Sequence, residues 1–197
     1  MIIGTDSTQQ NSGFEEVASK ISIKPRDIPA KISIIGTPAV GKTTLTKLIR
    51  GQLISGKYNP TIGFNLGNTT IDGNSFRIWD FGGQIEFIKQ HLTKYIHGSD
   101  ILFVVTDSSP SNVLITKDLL EHTKTLVDDG CEMVCIANKQ DLEEHMSPKR
   151  IEDLMQIPTF PLVAIQENNR QRMIELINLL MTYVQAKKQG DVSNALS

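Results

Sequence analysis

Apolar and polar positions alternate with two distinct periods once the chain passes about residue 30. Short runs rich in Ile, Val and Phe predict strands at residues 31–36, 64–71, 75–80, 100–107, 133–138 and 161–165. Stretches with apolar positions three or four apart predict helices at residues 42–55, 87–96, 112–128, 148–155 and 170–187. Strand followed by helix is the rule, and it is broken once, at the turn signal Asp72-Gly73-Asn74. That order predicts an α/β fold: a six-stranded, mostly parallel sheet with one antiparallel edge strand and helices on both faces. No internal repeat is visible.

The first 30 residues differ. They are polar, end with Pro25 and Pro29, and read as a leader outside the core. Within them Ser12-Gly13-Phe14-Glu15 has capping-box spacing, and Phe14, Val17, Ala18 and Ile21 recur at helical intervals. A helix that short is not stable alone. The expected organisation is therefore a flexible or partly helical leader (1–30), one globular domain (31–187) and a disordered tail (188–197).

Composition narrows the classes further. At 197 residues, 39% hydrophobic and 21% charged, the chain is an ordinary globular protein of one domain. Its formal net charge of −2 gives no bulk positive field, so no nucleic-acid partner is expected. The two cysteines, Cys131 and Cys135, lie in one apolar run and read as core, not as a disulfide, zinc or redox pair. His91, His97, His122 and His145 are scattered without metal-ligand spacing. No apolar run approaches the roughly 20 residues that span a bilayer, and the start of the chain lacks a secretory pattern. The expected compartment is the cytoplasm, with peripheral membrane contact through the leader left open.

Between the first strand and the first helix stands Gly36-Thr37-Pro38-Ala39-Val40-Gly41-Lys42-Thr43, which satisfies GxxxxGK[ST] in the strand-loop-helix context that the chemistry requires. Glycines let the backbone curl so that successive N–H groups face phosphate oxygens, and the helix N-terminus adds partial positive charge. Gly36, Ala39, Val40, Gly41 and Thr44 are the backbone candidates for this cradle. Lys42 would reach the terminal phosphates and the Thr43 hydroxyl would coordinate Mg²⁺. An acidic protein can hold a polyanion this way.

About a hundred residues further on, Asn138-Lys139-Gln140-Asp141 follows a predicted strand and fits the NKxD motif of guanine-nucleotide proteins. A carboxylate at Asp141 accepts from both N1–H and the 2-amino group of guanine. Adenine offers neither donor there and would leave the carboxylate desolvated and unpaired. Asn138 would hold the loop and base, and the Lys139 stem would cover a ring face.

Two more pieces lie between these motifs, Asn59-Pro60-Thr61-Ile62-Gly63-Phe64-Asn65 and Trp79-Asp80-Phe81-Gly82-Gly83-Gln84. Taken with the two motifs above, they make the chain resemble the Ras superfamily of small GTPases with the P-loop NTPase (Ras-like) fold, most closely the Arf/Arl family. The resemblance runs from about Lys31 to Ala186. It implies that Thr61 gives its hydroxyl to Mg²⁺ and its N–H to the γ-phosphate, that Asp80 holds Mg²⁺ through a water, and that Gly83 N–H touches the γ-phosphate. By the same resemblance Gln84 orients the attacking water, with Lys42 and Thr61 beside it in catalysis, and Ala164 N–H meets guanine O6. GTP and GDP would be substrate and product, Mg²⁺ the cofactor. An exchange factor, a GTPase-activating protein and effectors reading the switch loops would be the partners.

The pattern departs from that family in three places. Pro38 stands where Arf-like proteins usually carry Asp, removing an N–H and stiffening the loop wall, which bears on the hydrolysis rate. The absence of an obvious arginine in the switch region before Thr61 to act in cis predicts slow intrinsic turnover. Val163-Ala164-Ile165-Gln166 lacks the usual Ser-Ala-Lys character. Ile2 stands where the family usually has the myristoylated glycine and no CaaX cysteine ends the sequence, so neither lipid modification is expected. The alternative reading is a guanine-nucleotide-loaded interaction module with negligible turnover, and a P-loop kinase or ATPase is disfavoured by Asp141.

Overall fold

A computed structural model describes residues 28–54, 61–83 and 92–190. The leader helix, Gln84, His91 and the tail beyond residue 190 lie outside these described residues. Among them are six strands: β1 (Ala30–Ile35), β2 (Phe64–Ile71), β3 (Asn74–Phe81), β4 (Ile101–Thr106), β5 (Glu132–Ala137) and β6 (Thr159–Pro161). The helices are α1 (Lys42–Ile49), α2 (Pro110–Lys124), α3 (Pro148–Met155) and α4 (Arg170–Gln189), and residues 92–95 are also helical.

The sheet order is β2-β3-β1-β4-β5-β6, with β2 antiparallel to β3 and every other pairing parallel. The alternation of strands and helices predicts this mostly parallel sheet with one antiparallel edge strand, and the arrangement is the Ras-like one that the family resemblance implies. The hairpin between β2 and β3 turns on Asp72 and Gly73, both at positive φ (46° and 80°), with Ile71 paired to Asn74. Two positive φ values in succession define the turn whose twist matches the strands it joins, which is why Asp-Gly marks it.

Strands β1 and β4 are buried almost throughout because helices cover both faces of the sheet. Successive side chains point to opposite faces and enter two cores. Ile32, Ile34, Phe103, Val105, Val134 and Ile136 pack with α1 and α4. Ile35, Leu102, Val104, Cys135 and Ala137 pack with α2, α3, Leu92 and Ile96. Both cysteines are free and buried in the second core.

Three elements depart most from their expected bounds, α2 among them because it ends at Lys124 in place of residue 128 as well as starting early. Helix α1 stops at Ile49, short of residue 55, because Gly51 adopts φ 64° just past the Arg50 cap. Helix α2 begins two residues early, with Ser109 as N-cap and Pro110 at its first position, where a missing N–H costs nothing. Strand β6 covers Thr159–Pro161 in place of residues 161–165. The apolar stretch after Pro161 leaves the ladder because Ala164 N–H binds the Asn138 side chain and Gln166 N–H closes a turn on the Val163 carbonyl.

Candidate functional site

The carboxyl ends of the parallel strands open on one rim of the sheet. Gly36 follows β1, Asp80 lies near the end of β3, Asp107 follows β4 and Asn138 follows β5. Crevices at this end are where open α/β sheets bind ligands.

The loop after β1 is shaped by backbone geometry that its residues permit. Ala39 and Gly41 take positive φ, 62° and 103°, and Gly36 lies at 151°. A Cβ at Gly36 would collide with the Val105 carbonyl, and one at Gly41 with the Asn138 amide. Gly41 caps α1 without a side-chain hydrogen bond, and the first turn carries no acidic residue. The helix therefore presents its N-terminal N–H groups and partial positive charge to the crevice.

Lys42 is buried, and its ammonium donates to the Thr37 carbonyl at 2.7 Å. Burial lowers its pKa from 10.5 to about 8, against the opposing pull of Asp80. Burial pushes the Asp80 carboxyl upward, opposed by its hydrogen bond from Thr43 and by Lys42. Both ions are thus held away from water with incomplete compensation, a cost that a charged ligand would relieve.

Three oxygen groups expected around Mg²⁺ converge here. Thr43 Oγ1 donates to Asp80 Oδ2 at 2.7 Å and lies 3.0 Å from Thr61 Oγ1. Asp80 Oδ1 is buried with no hydrogen-bond partner among the described residues. Two hydroxyls and a carboxylate form a hard-oxygen set, and the orphaned oxygen has a lone pair to offer, so these residues fit Mg²⁺.

The segments carrying Thr61 and Gly83 close on the phosphate loop. Gly82 N–H donates to the Gly63 carbonyl at 2.7 Å. A Cβ at Gly82 would come within 2.6 Å of the Thr61 carbonyl, and one at Gly83 would strike the Thr37–Pro38 backbone. Only glycines allow so close an approach.

On the other side of the loop, Asn138 ties three segments together. Its Nδ2 donates to the Val40 carbonyl at 2.8 Å, and its Oδ1 accepts from Ala164 N–H at 2.9 Å. Ser108 Oγ donates to the Asn138 carbonyl at 2.6 Å and accepts from Gln140 Nε2 at 2.7 Å. Lys139 adopts φ 59° and its ammonium lies 4.0 Å from Asp107 Oδ2, while Asp141 is exposed and open to a ligand. The Ala164 N–H, expected at the base, is engaged by Asn138 in this structure. Gln84 lies outside the described residues.

Three residues in this rim were not singled out from sequence: Ser108, Asn112 and Gln140. Asn112 Nδ2 donates to Thr37 Oγ1 at 2.6 Å. The available signal was the polar run Thr106-Asp107-Ser108-Ser109 at the end of a strand otherwise apolar, at the sheet end where ligands bind.

Trp79 and Phe64 of the hairpin, with Tyr95, pack against the second core. Their ring centroids are 5.0–5.8 Å apart and all three are half-buried. They form an aromatic surface beside the residues that close on the phosphate loop.

Comparison with known proteins agrees with this geometry. The model of the ADP-ribosylation factor family matches residues 14–190. The chain is 34% identical over 123 residues to ADP-ribosylation factor-like protein 3 of Chlamydomonas reinhardtii, covering 61% of this chain and 68% of that protein. It is 28% identical over 149 residues to ADP-ribosylation factor-like protein 2 of Drosophila melanogaster, covering 74% and 78%. To ADP-ribosylation factor-like protein 1 of the same fly it is 27% identical over 165 residues, covering 80% and 91%.

Proposed function

The chain belongs to the ADP-ribosylation factor family of small GTP-binding proteins, and from that premise we propose that it hydrolyses GTP to GDP and acts as a nucleotide-dependent switch. The observation that carries this reading is the convergence of Thr43, Thr61 and Asp80 within hydrogen-bond distance beside the buried Lys42. Thr61 comes from a segment distant in sequence from the phosphate loop, and its attachment there is what a terminal phosphate would stabilise.

In this mechanism the backbone N–H groups of Ala39 to Thr44 bind the phosphate oxygens, and Lys42 keeps one of its three donors on the Thr37 carbonyl while turning the others to the β- and γ-phosphates. Asp80, Thr43 and Thr61 would hold Mg²⁺, which when bound supplies charge neutralisation between those phosphates. Thr61 and Gly83 N–H groups fix the γ-phosphate. Gln84 orients a water for in-line attack, and transition-state charge is met by Lys42 and the loop amides. Asp141 selects guanine by accepting two hydrogen bonds from the base. Loss of the γ-phosphate removes the shared anchor of the Thr61 and Gly83 segments, which then separate from the loop. Effectors would read that change on the adjoining surface that includes Phe64, Trp79 and Tyr95, and an exchange factor and a GTPase-activating protein would set its timing.

A second reading, a guanine-nucleotide-loaded interaction module with negligible turnover, is favoured by one feature. Pro38 offers no N–H and its backbone faces Gly83, where the γ-phosphate contacts converge. Single-turnover phosphate release from wild type and Gln84→Leu separates the two. A switch GTPase shows slow release that the variant reduces at least about tenfold, as expected when a water-positioning group is lost. Equal rates in both proteins support the module.

A further inference from the structure

The turn between β4 and α2 lies behind the phosphate loop and makes a continuous polar contact with it. Asn112, in the first turn of α2, directs its amide nitrogen at Thr37 Oγ1, 2.6 Å away. Its Oδ1 accepts from Thr106 Oγ1 at 2.8 Å, from Asp107 N–H at 3.3 Å and from Thr116 Oγ1 at 3.1 Å. Thr106 and Thr116 are fully buried. An amide oxygen that collects three donors from the strand end and from its own helix has little freedom to turn. Its nitrogen is thereby aimed at one oxygen.

That oxygen belongs to a residue that holds the site's central cation. Thr37 is buried, its carbonyl accepts the Lys42 ammonium at 2.7 Å, and its carbonyl carbon borders the Gly83 backbone. Displacing Thr37 therefore moves both the oxygen on which Lys42 rests and the wall on which Gly83 closes. Thr37 is a variable position of the GxxxxGK[ST] pattern, and nothing in that pattern asks for a hydroxyl there.

We infer that Asn112 is a positioning residue of the phosphate site, acting through the Thr37 hydroxyl to fix the Thr37 carbonyl and hence the resting place of the Lys42 ammonium. It touches neither substrate nor reacting atoms. The same turn also serves the base loop, since Ser108 N–H donates to Thr106 Oγ1 at 3.3 Å and Ser108 Oγ donates to the Asn138 carbonyl at 2.6 Å. Asn112 lies on the phosphate branch of this network, Ser108 on the base branch. Its loss should weaken the hold on phosphates while leaving the choice of base intact.

The inference rests on the nucleotide-binding reading above, and a double-mutant cycle tests it with full-length protein. Dissociation of a fluorescent GDP in Mg²⁺ is followed for wild type, Asn112→Ala, Thr37→Val and the double variant, with the guanine-to-hypoxanthine affinity ratio measured for each. Each single variant should raise the dissociation rate by roughly five- to fifty-fold, the range expected when a buried donor or acceptor loses its partner. The double variant should dissociate no faster than the worse single one, because the bond that Thr37→Val removes is already lost in Asn112→Ala. Thr37→Ser, which keeps the hydroxyl, should stay closer to wild type than Thr37→Val, and the base ratio should not move in any variant. Multiplicative effects in the double variant, equal behaviour of the Ser and Val variants, or a base ratio that falls with Asn112→Ala would overturn the assignment. Wild type that takes up no guanine nucleotide would instead refute the reading on which it rests.

Discussion

Asp141 and Asn138 stand three positions apart in one motif, yet they do different physical work. Asn138 is buried and spends both ends of its amide inside the protein, on Val40 and Ala164. Asp141 is exposed, with its carboxylate left for a ligand. Changing Asp141 to Asn trades two acceptors for one acceptor and a donor, which suits xanthine, whose C2 carries an oxygen in place of the amino group. GTP affinity should fall by roughly a hundredfold or more, from the loss of charge-assisted hydrogen bonds, and XTP affinity should rise. Competition of the two triphosphates for the variant measures this. At this scale the chemistry of the motifs was legible because GKT and NKxD each need particular groups. Asn112 and Ser108 were not legible, because a polar residue after a strand looks the same in sequence whether it faces solvent or braces a loop.

Elements, not single residues, bring the site together. The loop after β1, the turn after β4, the loop after β5 and the loop after β6 are joined through Asn138 and Ser108, so the rim behaves as one unit. Asn138→Ala removes a donor and an acceptor at once and strands the Val40 carbonyl and the Ala164 N–H. The expected cost is about 2–4 kcal/mol, or a fall in melting temperature of roughly 5–15 °C for a chain of this size, read by thermal unfolding without nucleotide. Most elements could be read from periodicity, and the Asp72-Gly73 turn fixed the antiparallel edge. The short β6 could not. Leu162, Val163, Ala164 and Ile165 have strand composition, but Ala164 N–H is drawn out of the ladder by a side chain 26 positions away. Long-range competition of that kind leaves no trace in a local window.

Across the whole molecule the sheet separates two cores, and both thiols sit in the one beneath α2 and α3. Burial pushes Cys131 and Cys135 up to about 12. At pH 8 the thiolate fraction in the folded protein is about 10⁻⁴, so alkylation by iodoacetamide should proceed chiefly through unfolding and accelerate sharply in denaturant. Raised folded values also fix the sign of the alkaline response. The unfolded thiols ionise first, near pH 8.5, so the contribution of these groups to stability is intact below that pH and declines above it. Quantifying labelled thiols against urea concentration, at pH 8 and pH 9.5, checks both statements.

The whole account comes down to one grip: loop amides, Lys42 and the Thr43, Thr61 and Asp80 oxygens on a triphosphate, with Asp141 on its base. Titrating nucleotide-free, folded protein with fluorescent GTP and, separately, fluorescent ATP in the presence of Mg²⁺ tests it most directly. The expected result is saturable uptake of GTP, reversed by excess unlabelled GDP, with no saturation by ATP over the same range. Absence of saturable GTP uptake, or equal uptake of ATP, would contradict it.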